Sequence, residues 1–180
     1  EYMESHPALL LPNSTNKPAL GWGGLHVYDH RQASVRARWR ETCVSLTTSG
    51  AIDGCGADFS VGVKATGLDP KVAVEWAAGR STMLRETTAA LGHGLLVGKE
   101  FEQLGDTVNA ILREGCTASN DTVNAFRNLS SLARSTGRRL VAQCQFGHPN
   151  YGVPLNRTGA ESVAAALRAG AGPDADFATG

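Results

Sequence analysis

Short apolar segments alternate with longer amphipathic segments along this chain. The clearest short segment, residues 49–58, is a run of small and apolar residues that ends in an acid, Asp58. A run of this length between helix-patterned segments predicts a buried parallel strand. Comparable strand patterns occupy residues 23–29, 95–99, 106–116, 139–146 and 175–178. The segment at residues 106–116 also fits a short helix, but a strand is favoured because a clear helical pattern follows it.

Amphipathic segments predict four helices, at residues 32–48, 68–91, 123–133 and 159–169. In the first, Val35, Trp39 and Cys43 recur at four-residue steps and mark one apolar face. In the second, Asp69 is a favourable N-cap residue. Trp39 and Trp76 lie at helical spacing, so we expect both in the core.

Strands that alternate with helices predict βα units and a parallel sheet. No Gly-rich phosphate loop follows the first strand, which disfavours a dinucleotide-binding fold. The prediction is an α/β, TIM-barrel-like (β/α)8 domain with about six strands, incomplete because such a barrel needs about 250 residues. Residues 1–21 form an irregular lead-in, and residues 22–180 form the single barrel-like domain of a longer polypeptide, without its first strands. An open, flavodoxin-like sheet is the less favoured alternative.

Composition limits the partners and the compartment. The 17 basic and 17 acidic residues balance, so no basic surface indicates nucleic acid or membrane binding. No apolar run is long enough to cross a membrane. Four asparagines lie in Asn-x-Ser/Thr sequons and predict glycosylation of a secreted protein: Asn13, Asn120, Asn128 and Asn156.

The cysteines form an even set of four without CxxC spacing, which favours two disulfides over a zinc or redox site. Cys43 lies on the apolar face of the first helix, and Cys55 faces the helix layer if Asp58 faces the barrel axis. We therefore expect a Cys43–Cys55 bridge, and Cys116 and Cys144 pair by elimination. Four buried free thiols in a cytosolic protein are the alternative.

Acidic residues follow several of the predicted strands, where barrel enzymes place their chemistry. Two carboxylates at one rim are what glycoside hydrolysis requires, one as nucleophile or base and one as proton donor. Asp58, Glu100 and Glu114 are the catalytic candidates, with loop-capping or solvated acids as the alternative. The candidates for binding substrate are Asp29, His30, His148, Phe59 and Tyr151. No metal or organic cofactor is implied.

Two stretches carry a resemblance to a known family: Tyr28-Asp29-His30-Arg31 with Val35-Arg36 and Trp39, and then residues 49–58. Together they resemble the middle strands of TIM-barrel glycoside hydrolases, and glycosidase-like proteins of microbial eukaryotes in particular. The resemblance implies that Asp58 is the nucleophile and Glu114 the acid/base, as in α-galactosidase-like barrels. The α-amylase arrangement would nominate Glu100 as the proton donor. Gly56 stands where the α-galactosidase type has a lysine.

Two functions follow as expectations. The first is a secreted glycoside-hydrolase-like protein that acts on an extracellular or cell-wall glycan. The second is a non-catalytic glycan-binding or structural component of an extracellular assembly with other chains. The missing lysine before Asp58 favours the second.

Overall fold

The computed structural model describes residues 5–57, 67–99, 107–114, 120–137, 139–144, 157–171 and 176–179. The chain forms two compact units, residues 1–96 and 97–180. The prediction that residues 22–180 form one domain stays a prediction. Within the described residues no helix is long and apolar enough to cross a membrane.

The first unit contains two long helices and a short strand. These are α1 (Ala33–Thr48), β1 (Gly54–Ala57) and α2 (Pro70–Leu91), followed by the start of β2 (Leu95–Lys99). Helix α2 begins as predicted, because the Asp69 carboxylate accepts a 2.8 Å hydrogen bond from the backbone N–H of Lys71. The core of this unit contains Leu11, Ala19 and Trp76, all nearly inaccessible to solvent.

The second unit contains the rest of the strands and two further helices. They are β3 (Ala110–Glu114), α3 (Asn120–Ser135), β4 (Arg139–Cys144), α4 (Arg157–Ala171) and β5 (Asp176–Thr179). From β2 to β5 each strand pairs in parallel with the next, with registers such as Val97 opposite Ala110 and Ile111 opposite Leu140. The preference for a strand over a helix at residues 106–116 is therefore confirmed.

The predicted first strand, residues 23–29, is not a sheet strand. A 3₁₀ turn over Trp22–Gly24 starts this stretch, with Gly23 and Gly24 at positive φ. The chain then folds back antiparallel in isolated bridges, which pair Leu20 with His26 and Leu10 with Tyr28. Two adjacent glycines allow that reversal, so the segment pairs locally instead of joining the parallel sheet.

The predicted TIM barrel, with about six strands, is wrong. The described strands number five and follow the order β1-β2-β3-β4-β5 in an open sheet. A barrel requires the first and last strands to pair, and the described parts of β1 and β5 do not. The order also differs from the 2-1-3-4-5 order of flavodoxin-like folds.

One glycine of β1 allows close contact with the start of β2. A Cβ atom on Gly54 would lie 2.8 Å from Leu95 Cβ and 2.9 Å from its carbonyl carbon, whereas a Cβ on Gly56 would meet no described residue within 4 Å. The Leu95 N–H donates to the Asp53 carbonyl at 3.3 Å beside this contact. The absence of a side chain at Gly54 therefore allows the backbones of β1 and β2 to come this close.

We expect Gly54→Ala to lower the free energy of unfolding by about 1–3 kcal/mol, because backbone and Cβ atoms must move apart. Urea unfolding would measure the loss. Gly56→Ala, in the same strand, is the matched control and should change stability by less than about 0.5 kcal/mol. Equal losses in both variants would contradict this account of the strand contact.

Candidate functional site

Trp76 connects α2 with the turn that precedes α1. Its indole is 4% exposed, and its Nε1–H donates a 2.9 Å hydrogen bond to the Tyr28 carbonyl. Its ring stacks against the His30 imidazole, with centroids 5.4 Å apart and planes 12° apart. The indole thus positions the turn through both a backbone contact and a side-chain contact.

Asp29 holds that turn by a local ion pair. Its carboxylate is buried and accepts two hydrogen bonds from the Arg31 guanidinium, both 2.8 Å, and one from the Arg31 backbone N–H, 3.1 Å. Burial raises the pKa of Asp29, but the hydrogen bonds and charge of Arg31 outweigh it and leave the pKa below its ordinary value. Asp29 is therefore ionised and engaged inside the chain, and its predicted role in substrate binding stays a prediction.

Arg36 and Gly79 complete the packing of α1 and α2 around the turn. Arg36 Nη1 donates to the carbonyls of His30 and Arg31 at 2.9 and 2.8 Å, and its Nε lies 3.5 Å from a Glu86 carboxylate oxygen. A Cβ on Gly79 would lie 2.7 Å from the His30 carbonyl carbon. The backbone of the turn therefore approaches α2 as closely as a glycine permits.

His30 is held neutral by its surroundings. Burial and the nearby charge of Arg80 lower its pKa to about 4, and Arg36 adds to this, against the opposing attraction of Asp29. Its Nδ1 atom is buried and has no hydrogen-bond partner among the described residues. At neutral pH this imidazole offers one nitrogen as a donor and the other as an acceptor, depending on the tautomer.

His30 faces a cavity of about 430 Å³ in the first unit. Its polar and aromatic lining comes from Tyr28, His30, Arg38, Trp39 and Thr42. The Cys43–Cys55 disulfide and the backbone of β1 close one side of the cavity. A concave site with aromatic walls and a few polar groups is typical of small-ligand binding.

One residue of the cavity lining was predicted to lie in the core. Trp39 was expected in the core, but it is only half-buried and lines the cavity. Its place on the same helical face as Val35 and Cys43 predicts that it points inward, although not that a space remains beside it. The hydrophobic pattern therefore predicts the direction in which Trp39 points, but it does not predict a cavity beside it.

The other predicted site residues divide between the two units or lie outside the described residues. Glu114 is the last residue of β3, in the second unit, and its side chain is not described. The remaining candidates lie outside the described residues: Asp58, Phe59, Glu100, His148 and Tyr151. All of these assignments stay predictions. The described part of the chain contains no cluster of three metal-ligating side chains.

The Cys43–Cys55 disulfide is confirmed, with Cα atoms 5.9 Å apart between α1 and the second residue of β1. Packing of the helix face on the strand face brings the two cysteines together, as the side-chain alternation of a strand requires. The second predicted pair is not described, because Cys116 lies outside the described residues, as does the side chain of Cys144, the last residue of β4.

The sequons differ in their local structure. The Asn13 side-chain oxygen accepts hydrogen bonds from the Thr15 N–H at 2.9 Å, the Thr15 hydroxyl at 2.8 Å and the Lys17 N–H at 3.0 Å. Asn128 is exposed within α3, and Asn120 begins that helix. Asn156 lies outside the described residues. Glycosylation of these asparagines stays a prediction.

We expect the stability of the protein to fall as the pH drops from about 6.5 to 4. The folded pKa of His30 is about 4 and the ordinary value is 6.5, so the unfolded state binds the extra proton in this window. The contribution of neutral His30 to the free energy of unfolding is complete above pH 6.5. It falls by about 3 kcal/mol as the pH drops to 4. Asp29, with a lowered pKa, loses its contribution only below about pH 3.8.

Urea unfolding at a series of pH values, for wild type and His30→Gln, would isolate this effect. The variant should lack the part of the pH dependence that falls between 6.5 and 4. His26→Gln, which changes an exposed histidine, is the matched control and should retain the wild-type curve. A His30→Gln curve parallel to the wild-type curve would show that the His30 environment does not favour the neutral form.

Comparisons with known proteins give a likeness of fold. No protein-family model and no curated protein matches this sequence. The chain is similar to the structure of the glycoside hydrolase domain of PelA from Pseudomonas aeruginosa, with a TM-score of 0.63 and 14% sequence identity. The match covers 99% of this chain and 70% of that chain. The chain therefore shares the fold of a glycoside hydrolase domain over nearly its whole length.

Proposed function

We propose that this protein is a secreted, glycoside-hydrolase-like protein that binds a glycan in the cavity of its first unit. The observation that carries the proposal is the likeness of fold to a glycoside hydrolase domain over 99% of the chain. The lining supports it, because Trp39 and Tyr28 provide aromatic surface for a sugar face, and Arg38 and His30 provide polar groups for hydroxyls.

A hydrolytic reaction would be carried by acids that the structure does not describe in full. Asp58 would be the nucleophile or stabiliser, and Glu114, or Glu100, would protonate the leaving oxygen. Gly56 lines the cavity and lies two residues before Asp58 in the chain. His148, Phe59 and Tyr151 are the further candidates for contact with the sugar. No step of this scheme needs a metal or an organic cofactor.

Two observations support an extracellular location. The Cys43–Cys55 disulfide is typical of proteins from oxidising compartments. The four sequons are acceptors for N-linked glycans, and the Asn13 loop is ordered by hydrogen bonds within its own sequon.

Glycan binding without hydrolysis, as in a structural component of an extracellular assembly, is the second candidate. The described lining of the cavity contains no aspartate or glutamate. The adjacent acid, Asp29, is held by Arg31 through both of its oxygens. Within the described residues the cavity can therefore recognise a ligand but has no carboxylate to cleave it.

A panel of oligosaccharides, assayed for hydrolysis and for binding by calorimetry, would test both candidates. For an enzyme, we expect Asp58→Asn to lower turnover by at least about a hundredfold, because a reacting carboxylate is lost. Equal turnover by both proteins would remove Asp58 from the mechanism. Binding without turnover would establish the second candidate.

Trp39→Ala should weaken binding about tenfold under either candidate, the equivalent of ~1.4 kcal/mol, because an aromatic wall is lost. Val74→Ala is the control, since Val74 is 70% exposed on α2 and does not line the cavity. A folded wild-type protein that neither binds nor cleaves any glycan of the panel would overturn the proposed function.

A further inference from the structure

Arg80 differs from the arginines around it. Arg31 pairs with Asp29, and Arg36 pairs with Glu86. The Nε and Nη1 atoms of Arg80 are buried and have no hydrogen-bond partner within the described part of the chain. The contact that the structure gives this guanidinium is with the Trp76 ring, whose centroid lies 5.1 Å from Cζ.

A buried guanidinium without an anion is unfavourable, because it loses hydration that nothing replaces. Burial accordingly lowers the pKa of Arg80. Contact with the indole face offsets part of this loss but leaves the N–H donors unsatisfied. An anion that bound to Arg80 would therefore supply the acceptors that its buried N–H donors lack.

Arg80 is not itself among the residues that line the cavity, but it lies next to residues that do. His30 lines the cavity, stacks on the indole that Arg80 contacts, and has its pKa lowered by the charge of Arg80. Met83, one helical turn after Arg80 on α2, lines the cavity as well. The unpartnered Nδ1 of His30 adds a second unsatisfied polar atom in the same neighbourhood.

We propose that the glycan bound in this cavity is acidic, and that the carboxylate of a uronic acid residue pairs with Arg80 beside His30. A guanidinium presents paired N–H donors that match the two oxygens of a carboxylate. His30, which lines the cavity, provides a polar group for an adjacent sugar hydroxyl. This inference rests on the proposed function, because it names the class of glycan for the same cavity.

Calorimetric titration with matched pairs of sugars tests the inference. Each pair consists of a uronic acid oligosaccharide, of the galacturonate, glucuronate or mannuronate type, and its carboxyl-reduced neutral counterpart. We expect the wild type to bind the acidic member of one pair at least about tenfold more tightly, as a charge-assisted pair in a partly buried site would give. Arg80→Met should bind both members of that pair equally.

Arg85→Met is the matched control, because Arg85 is exposed on the same helix, and it should keep the wild-type preference. Thermal unfolding separates recognition from a structural role. Arg80→Met should unfold at the same or a higher temperature than wild type, because methionine covers Trp76 without an unpaired charge. A lower unfolding temperature with an unchanged preference for the acidic sugar would assign Arg80 to packing and overturn the inference.

The remaining outcomes distinguish the two proposals. Equal binding of acidic and neutral sugars by the wild type overturns the acidic-glycan inference and leaves the proposed function in place. Failure of the folded wild type to bind any member of any pair, or any glycan of the wider panel, overturns the proposed function itself. The comparison of sugars on the wild type can overturn the inference even if Arg80→Met does not fold.

Discussion

The packing of the first unit depends on a single buried indole. Residues 6–30 contain only 3₁₀ turns and isolated bridges as repetitive structure, so they lack the continuous ladders that hold a sheet together. Trp76 compensates by donating to the Tyr28 carbonyl and stacking on His30, while its ring packs with Leu11 and Ala19. Burying an aromatic ring of this size contributes about 4–6 kcal/mol at ~25 cal/mol per Å². Much of the order in the segment before α1 therefore comes from α2.

The same contacts determine the electrostatics of the turn. Arg31 and Arg36 bring positive charge close to His30, but each is paired with an acid or with backbone carbonyls. Arg80 adds a charge that has no acidic partner among the described residues, and burial of its Nε and Nη1 atoms removes part of the hydration that would screen it. Burial and the positive charge of Arg80 keep the imidazole neutral. The turn therefore combines a guanidinium without an acid among the described residues and a neutral imidazole, which suits a ligand with both hydroxyls and an acid.

Local features of this fold could be predicted from the sequence, and long-range features could not. Helix α1 was predicted at residues 32–48 and observed at Ala33–Thr48, because its apolar spacing acts within one element. The Cys43–Cys55 bridge was predicted because two adjacent elements determine it. Closure of the sheet depends on pairing between its distant edge strands, and no local pattern encodes that. At residues 23–29 the pattern predicted a strand, but Gly23 and Gly24 allow the chain to reverse and no sheet strand forms there. The cavity was missed for a related reason, since a helical pattern shows that Trp39 faces inward but not whether neighbours fill the space.

Under the proposed function, recognition and hydrolysis depend on different side chains. Three described groups would hold the sugar. Trp39 is on α1, Arg80 is on α2, and His30 is in the turn that precedes α1. The described contacts of His30 and Arg80 are with Trp76 and its neighbours in the first unit. A carboxylate acts on a bond only while the sugar is held against it. Any catalysis therefore depends on binding, and under the proposed function a chain that keeps Trp76 and its contacts would retain a glycan whether or not it cleaved one.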